Sequence, residues 1–175
     1  MSPRLAPVPP DDRMRTDLQR GAEPLNIFRT LAHNPELMHK AMSLGNRFLF
    51  KGNRLDPRAR EIMILRSARR TGSVYEFGQH TIIGRKTGLS EAEIARLARA
   101  DAGEWPADEG LLVTVVDELS TTDTLTEGTW ERLRAAFDEP TIVEILLLPG
   151  FYRMLAGFLN ATGVEREADT PGWPE

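Results

Sequence analysis

From Leu25 onward, apolar side chains recur at intervals of three and four, the period of a helix with one buried face. The run Leu25, Phe28, Leu31 and Ala32 gives way to Leu37, Met38, Ala41 and Met42, which leads on to Leu44, Phe48 and Leu49. Asn34-Pro35 between the two runs reads as an N-cap followed by proline at the first helical position. Leu55-Asp56-Pro57 repeats the device and opens a third helix, with Glu61, Ile62, Leu65, Arg66 and Arg69, that stops at Thr71-Gly72-Ser73. Ser73 then caps a fourth helix running to Lys86-Thr87-Gly88, with Glu76 at the capping-box position. A fifth, SEAEIARLARA, starts Ser-x-x-Glu and ends before the turn GEWPAD. Residues 109–121 and 128–137 predict two amphipathic helices, and 141–162 a long apolar one interrupted at Pro149-Gly150. No segment alternates with period two long enough to be a strand, so the class is all-α.

Residues 1–24 hold five prolines and few large apolar side chains, too little to offset the entropy of ordering, and predict an extended tail that wraps a neighbour. The helical domain is expected over 25–163 and a second tail over 164–175. At 175 residues, 41% hydrophobic, one domain with one core is the natural arrangement. A net charge of −4 argues against a broad basic surface for nucleic acid. The RSARR cluster at 66–70 and the helix that follows imitate a helix-turn-helix, but GEWPAD and the acidic residues beside it break the pattern, which leaves the cluster as a solvated face. The most apolar stretch, 142–163, carries Glu144, Arg153 and Asn160, and the N-terminus has no apolar leader core, so neither a membrane span nor a signal peptide is expected and the protein reads as cytoplasmic.

Cysteine is absent, which removes disulfides, thiolate nucleophiles and thiolate metal sites together. His33 and His39 lack a helical ligand spacing, so no metal is expected. Trp105, Trp130 and Phe151-Tyr152 read as core or interface anchors. The chemistry concentrates in GSVYEFGQH. Glu76 and His80, four residues apart, lie one above the other on a helix, on a face that also passes Ser73, Phe77 and Gly84. A carboxylate so placed favours imidazolium and yields a group that donates and accepts a proton near neutrality. The bland account makes Glu76 the capping-box partner of Ser73 and His80 a half-buried polar group. Glu61, on the preceding helix, either pairs with Arg58 or Arg69, or reaches His80 across an antiparallel helix pair that the short loop at 71–73 permits.

Taken together, RLDPRAREIMILRSARRTGSVYEFGQH, the TGLSEAEIARLA after it and the later IVEILLLPGFYRMLAGFLNATG resemble the carboxymuconolactone decarboxylase family, the cysteine-free side of the alkylhydroperoxidase D-like superfamily, over residues 35–163. The peroxidase branch carries a glutamate and, twelve residues on, Cys-x-x-Cys-x-x-x-His. On this chain those positions are Glu61, Ser73, Glu76 and His80, which implies a proton relay without its thiols. Phe77 stands where the decarboxylase branch usually has tryptophan, and Arg153 where the family often has asparagine. The resemblance implies a helical bundle assembled as a trimer or hexamer, and a decarboxylase or related isomerase acting on a small unsaturated lactone or aromatic-derived acid. His80, Glu76 and Glu61 would be catalytic, with Ser73, Tyr75, Phe77 and Arg66 binding substrate. No cofactor is expected, because the lactone is its own electron sink. The competing expectation is a helical oligomerisation or interaction protein that keeps the fold without the reaction.

Overall fold

A computed structural model describes residues 3–10, 14, 23–50 and 52–174. Within them lie eight helices and no strand: α1 (Asn26–Leu31), α2 (Pro35–Leu49), α3 (Pro57–Thr71), α4 (Val74–Lys86), α5 (Glu91–Leu97), α6 (Ala107–Thr122), α7 (Glu127–Ala136) and α8 (Glu139–Thr162). The starts follow the local chemistry. Asn34 accepts from the Leu37 amide with Pro35 at the first helical position, and Asp56 accepts from the amides of Arg58 and Ala59 ahead of Pro57's helix. Ser90 and Glu93 close a complete capping box on α5.

The third helix is the axis of the fold. It packs on α4, α5, α6 and α8, and every residue from Arg60 to Ala68 is buried. An amphipathic helix has one wet face; α3 has none along this stretch, because two apolar clusters meet on it. Met63 and Ile64 face α6, α7 and α8 through Val115, Leu133, Ile145 and Leu148. Ile62, Leu65 and Ala68 face Phe77, Ile94 and Leu97. Each buried leucine, isoleucine, methionine or phenylalanine here contributes about 1.5–3 kcal/mol by leaving water.

Gly72 ends α3 in the left-handed conformation (φ 67°), where a Cβ is disfavoured, and Ser73 at once caps α4. Two residues therefore reverse the chain, and α3 and α4 form an antiparallel pair.

The break expected at Pro149-Gly150 is not there, since α8 is continuous from Glu139 to Thr162 with Pro149 inside it. An interior proline costs about 3 kcal/mol. Ile145, Leu148, Phe151 and Tyr152, all buried around it, return more than that at about 1.5–3 kcal/mol each, so the helix runs on. By length and composition α8 is apolar enough to cross a membrane, but half of its most apolar window is buried inside the protein as a core face.

Of the N-terminal segment, residues 1–2, 11–13 and 15–22 lie outside the described residues. Residues 3–10 run along their own chain: the Arg4 amide donates to the Thr162 carbonyl at 2.8 Å and the Val8 amide to that of Arg29 at 3.1 Å. At the other end, Trp173 packs on Phe77 with ring centroids 4.7 Å apart. The segment after α8 is thus fastened to α4.

Candidate active site

Glu61 and His80 lie on opposite sides of the Gly72–Ser73 reversal, each two to three turns from it, so the hairpin brings them face to face. His80 Nδ1 is 2.6 Å from Glu61 Oε2. The other carboxylate oxygen of Glu61 accepts from Arg60 Nε at 3.0 Å. Glu61 has no exposed surface and Arg60 is 5% exposed, so this carboxylate is dry, paired and fixed. With Nδ1 directed to a carboxylate, Nε2 is left as the ring's proton acceptor, and it carries no hydrogen bond among the described residues. The ring stands edge-on to Tyr152, centroids 5.0 Å apart and planes at 90°.

Glu76 occupies the turn before His80, but among the described residues its carboxyl group bonds neither to His80 nor to any other: both oxygens are buried without a partner. Ser73 accepts from the Glu76 amide, so the expected capping box is half made: the serine arm is present and the glutamate arm is not. Burial pushes the Glu76 carboxyl up to about 8; the Ser73 hydroxyl pulls the other way, but without a hydrogen bond to either oxygen it does not offset that burial. Burial, then the nearby carboxyls of Glu61 and Glu76, raises the Tyr152 hydroxyl well above its ordinary value and keeps it a donor.

Glu76, His80 and Tyr152 share the wall of a cavity of about 310 Å³, a volume at the small end of ligand pockets. The rest of the wall is chiefly apolar and comes from α1, α2, α4 and α8, with Phe28, Leu31, Met42, Leu49, Ile83 and Leu155 prominent.

The remaining residues singled out from the sequence divide. The Tyr75 ring lines the cavity, but its hydroxyl is committed, donating to Glu167 Oε1 at 2.8 Å and accepting from the Ile27 amide at 3.2 Å. Ser73 is buried at the helix cap, away from the cavity wall. Phe77 points to the opposite cluster, against Ile94, Leu97 and Trp173. Arg66 is neither a solvated residue nor near the cavity. It has no exposed surface, and its guanidinium grips Asp117 through two 2.6 Å bonds and donates to the carbonyls of Leu97, Arg99 and Ala100. That grip ties the end of α5 to α6 and leaves no donor for a substrate. Nor do Arg58 or Arg69 meet Glu61: Arg58 pairs with Glu93 and Glu109, and Arg69 lies over Trp173.

Sequence reasoning missed Glu167 and Gln79. Glu167 takes the Asn26 amide, the Tyr75 hydroxyl and the Gln79 amide, locking α1 and α4 together beside the cavity. Nothing in the pattern marks Glu167, which sits outside any helix; Gln79 had a signal in its place between Glu76 and His80.

The model of the carboxymuconolactone decarboxylase family matches residues 35–112, a span that holds Glu61, Glu76 and His80. No curated protein matches the chain. Among solved structures, an uncharacterized peroxidase-related protein from Silicibacter sp. TM1040 superposes with a TM-score of 0.83 at 16% identity, over 97% of this chain and 95% of that one. An alkylhydroperoxidase AhpD core protein from Ralstonia eutropha JMP134 gives 0.83 at 19%, with the same coverage of 97% and 95%. A cysteine-to-alanine form of the debrominase Bmp8 in complex with 2,3,4-tribromopyrrole gives 0.73 at 16%, over 96% and 94%. These likenesses show the fold: the chain is an AhpD-like helical bundle.

Proposed function

We propose, from the match of residues 35–112 to the carboxymuconolactone decarboxylase family, that this chain is a cofactor-independent proton-transfer enzyme of that kind, a decarboxylase or isomerase of a small unsaturated lactone or aromatic-derived acid. The observation that carries the proposal is the His80–Glu61 pair opening on a cavity whose wall also holds the unpartnered Glu76. An imidazole oriented by a buried carboxylate is a base with one free nitrogen, and a neutral buried carboxyl is a hydrogen-bond donor in a dry site.

In an isomerisation, Nε2 of His80 takes a proton from carbon next to the unsaturated carbonyl. The C–H electron pair moves through the double bond onto the carbonyl oxygen, where the carboxyl of Glu76 and the hydroxyl of Tyr152 supply hydrogen bonds. The imidazolium, steadied by Glu61, returns the proton to the far carbon, and the electron pair leaves the oxygen. In a decarboxylation, loss of carbon dioxide delivers the same electron pair and the imidazolium protonates the carbon. Neither route uses sulfur, and these 175 residues hold no cysteine with which to run a thiol peroxidase cycle.

The proposal includes a cytoplasmic homo-oligomer, trimer or hexamer, in support of which Val143, Leu147 and Met154 leave apolar side chains exposed along α8. Its test is turnover of unsaturated lactones by the wild type and by His80→Ala. The substitution is expected to lower turnover about 100-fold or more while helical circular dichroism stays unchanged; full activity in the variant would refute the role.

A further inference from the structure

We propose that α8 pairs with the α8 of a second copy of this chain, antiparallel and about a two-fold axis that passes between Gly150 and Met154. The pairing rests on the homo-oligomer of the reading above and deepens it, because a two-fold contact of this kind belongs to a hexamer built of two trimers and is absent from a trimer.

The outward residues of α8 recur at alternating steps of four and three: Val143, Leu147, Gly150, Met154, Gly157 and Ala161. Each is exposed, and together they form one narrow stripe with the heptad period of helices that wrap a partner. The order of sizes along the stripe is what points to a second copy. Turned end for end about the axis, Val143 meets Ala161, Leu147 meets Gly157 and Met154 meets Gly150, so every bulky side chain of one copy faces a small residue of the other. Nothing inside the chain asks for those glycines: a Cβ on Gly150 or Gly157 would meet no atom within 4 Å.

Beside the stripe the surface is hollow. Leu146, Pro149, Gly150 and Arg153 have the spacing of the four residues that make a hole on a helix, and with Leu119 and Asp123 of the neighbouring α6 end they border a recess of about 120 Å³. Met154 of the second copy is the knob set over it, an unbranched side chain suited to an irregular gap. Charge agrees with shape. The stripe carries none, and at its edge Arg153 donates from Nη1 to Asp123 Oδ1 at 3.2 Å. The axis brings the two Arg153 side chains near one another, each with its own aspartate, so neutral pair meets neutral pair. On its inner side the same turn of α8 presents Tyr152 to His80, ring centroids 5.0 Å apart. The seam therefore braces the cavity wall from outside, at a turn where Pro149 donates no backbone hydrogen bond.

The chain holds no cysteine, so introduced thiols report contacts without background. Leu147→Cys and Gly157→Cys are placed on differently tagged full-length chains, co-expressed and mildly oxidised. They are expected to join to each other about tenfold more than either joins to itself, because the two copies of Leu147 lie about 15 Å apart along an antiparallel pair, beyond disulfide reach. Leu147→Glu is expected to halve the mass measured by light scattering while helical circular dichroism stays unchanged. Like joining like as readily as unlike, or no cross-link at all, overturns the pairing. A wild-type trimer whose mass Leu147→Glu leaves alone overturns the two-fold and keeps the homo-oligomer, whereas a wild-type monomer overturns both. Turnover by the wild type against His80→Ala tests the catalytic reading separately.

Discussion

Glu76 is the residue whose energetics set the site apart from an ordinary helix pair. Its carboxyl is out of water and unbonded, and ionising it there carries the full cost of desolvation. The folded protein therefore holds this proton up to about 8, against an ordinary 4.5. Between those values the folded chain binds a proton that the unfolded chain has lost, so stability falls as pH rises, by about 1.4 kcal/mol per pH unit at the limit. Glutamine at this position has nothing to ionise. The melting temperature of Glu76→Gln minus that of the wild type is accordingly expected to grow from pH 5 to pH 8 and to level off above; a difference that stays flat across that range contradicts the buried, protonated acid. Spacing put Glu76 beside His80, but it did not say which carboxylate would take the imidazole. That is settled by the facing helix, where Glu61 reaches Nδ1 while Glu76 is left unbonded. Arg66 was illegible for a related reason. Its partner, Asp117, lies 51 positions away, and no local pattern shows that a basic residue in RSARR turns inward.

The helices themselves were readable, because period and caps are local. Asn34-Pro35, Asp56-Pro57, Ser73 and Ser90 start helices in the structure as their side chains dictate. Pro149 was misread because the local rule competes with burial on both sides of it, and burial wins. The fastening of the C-terminal segment was invisible, since no periodicity marks residues 164–174. Gly78 shows how close it lies: a Cβ there would sit 2.2 Å from the Pro171 carbonyl oxygen and 2.7 Å from the Thr170 methyl. Backbone oxygen does not yield as a flexible side chain does. Gly78→Ala is expected to lift the segment off α4, exposing Trp173 to quenchers and the C-terminus to proteases while α3 and α4 stay helical. Unchanged quenching and protection would show that the segment bends aside without releasing.

At the scale of the whole molecule, the hairpin of α3 and α4 brings His80 to Glu61 and the surrounding helices supply the hollow. The all-helical class followed from the period of apolar residues, and the resemblance to the carboxymuconolactone decarboxylase family from the residues around His80. The cavity did not follow from either. Its apolar wall comes from α1, α2 and α8, segments whose sequence says only that one face is buried, not that packing stops short of filling the space. The account stands on proton transfer at carbon by His80 inside that space. Incubating the protein with an alkyl-substituted unsaturated lactone in heavy water, and following deuterium at the carbon beside the carbonyl by mass spectrometry, measures this step directly. Incorporation by the wild type that falls about 100-fold or more in His80→Ala is the result expected. Incorporation that is absent, or equal in the two proteins, contradicts it.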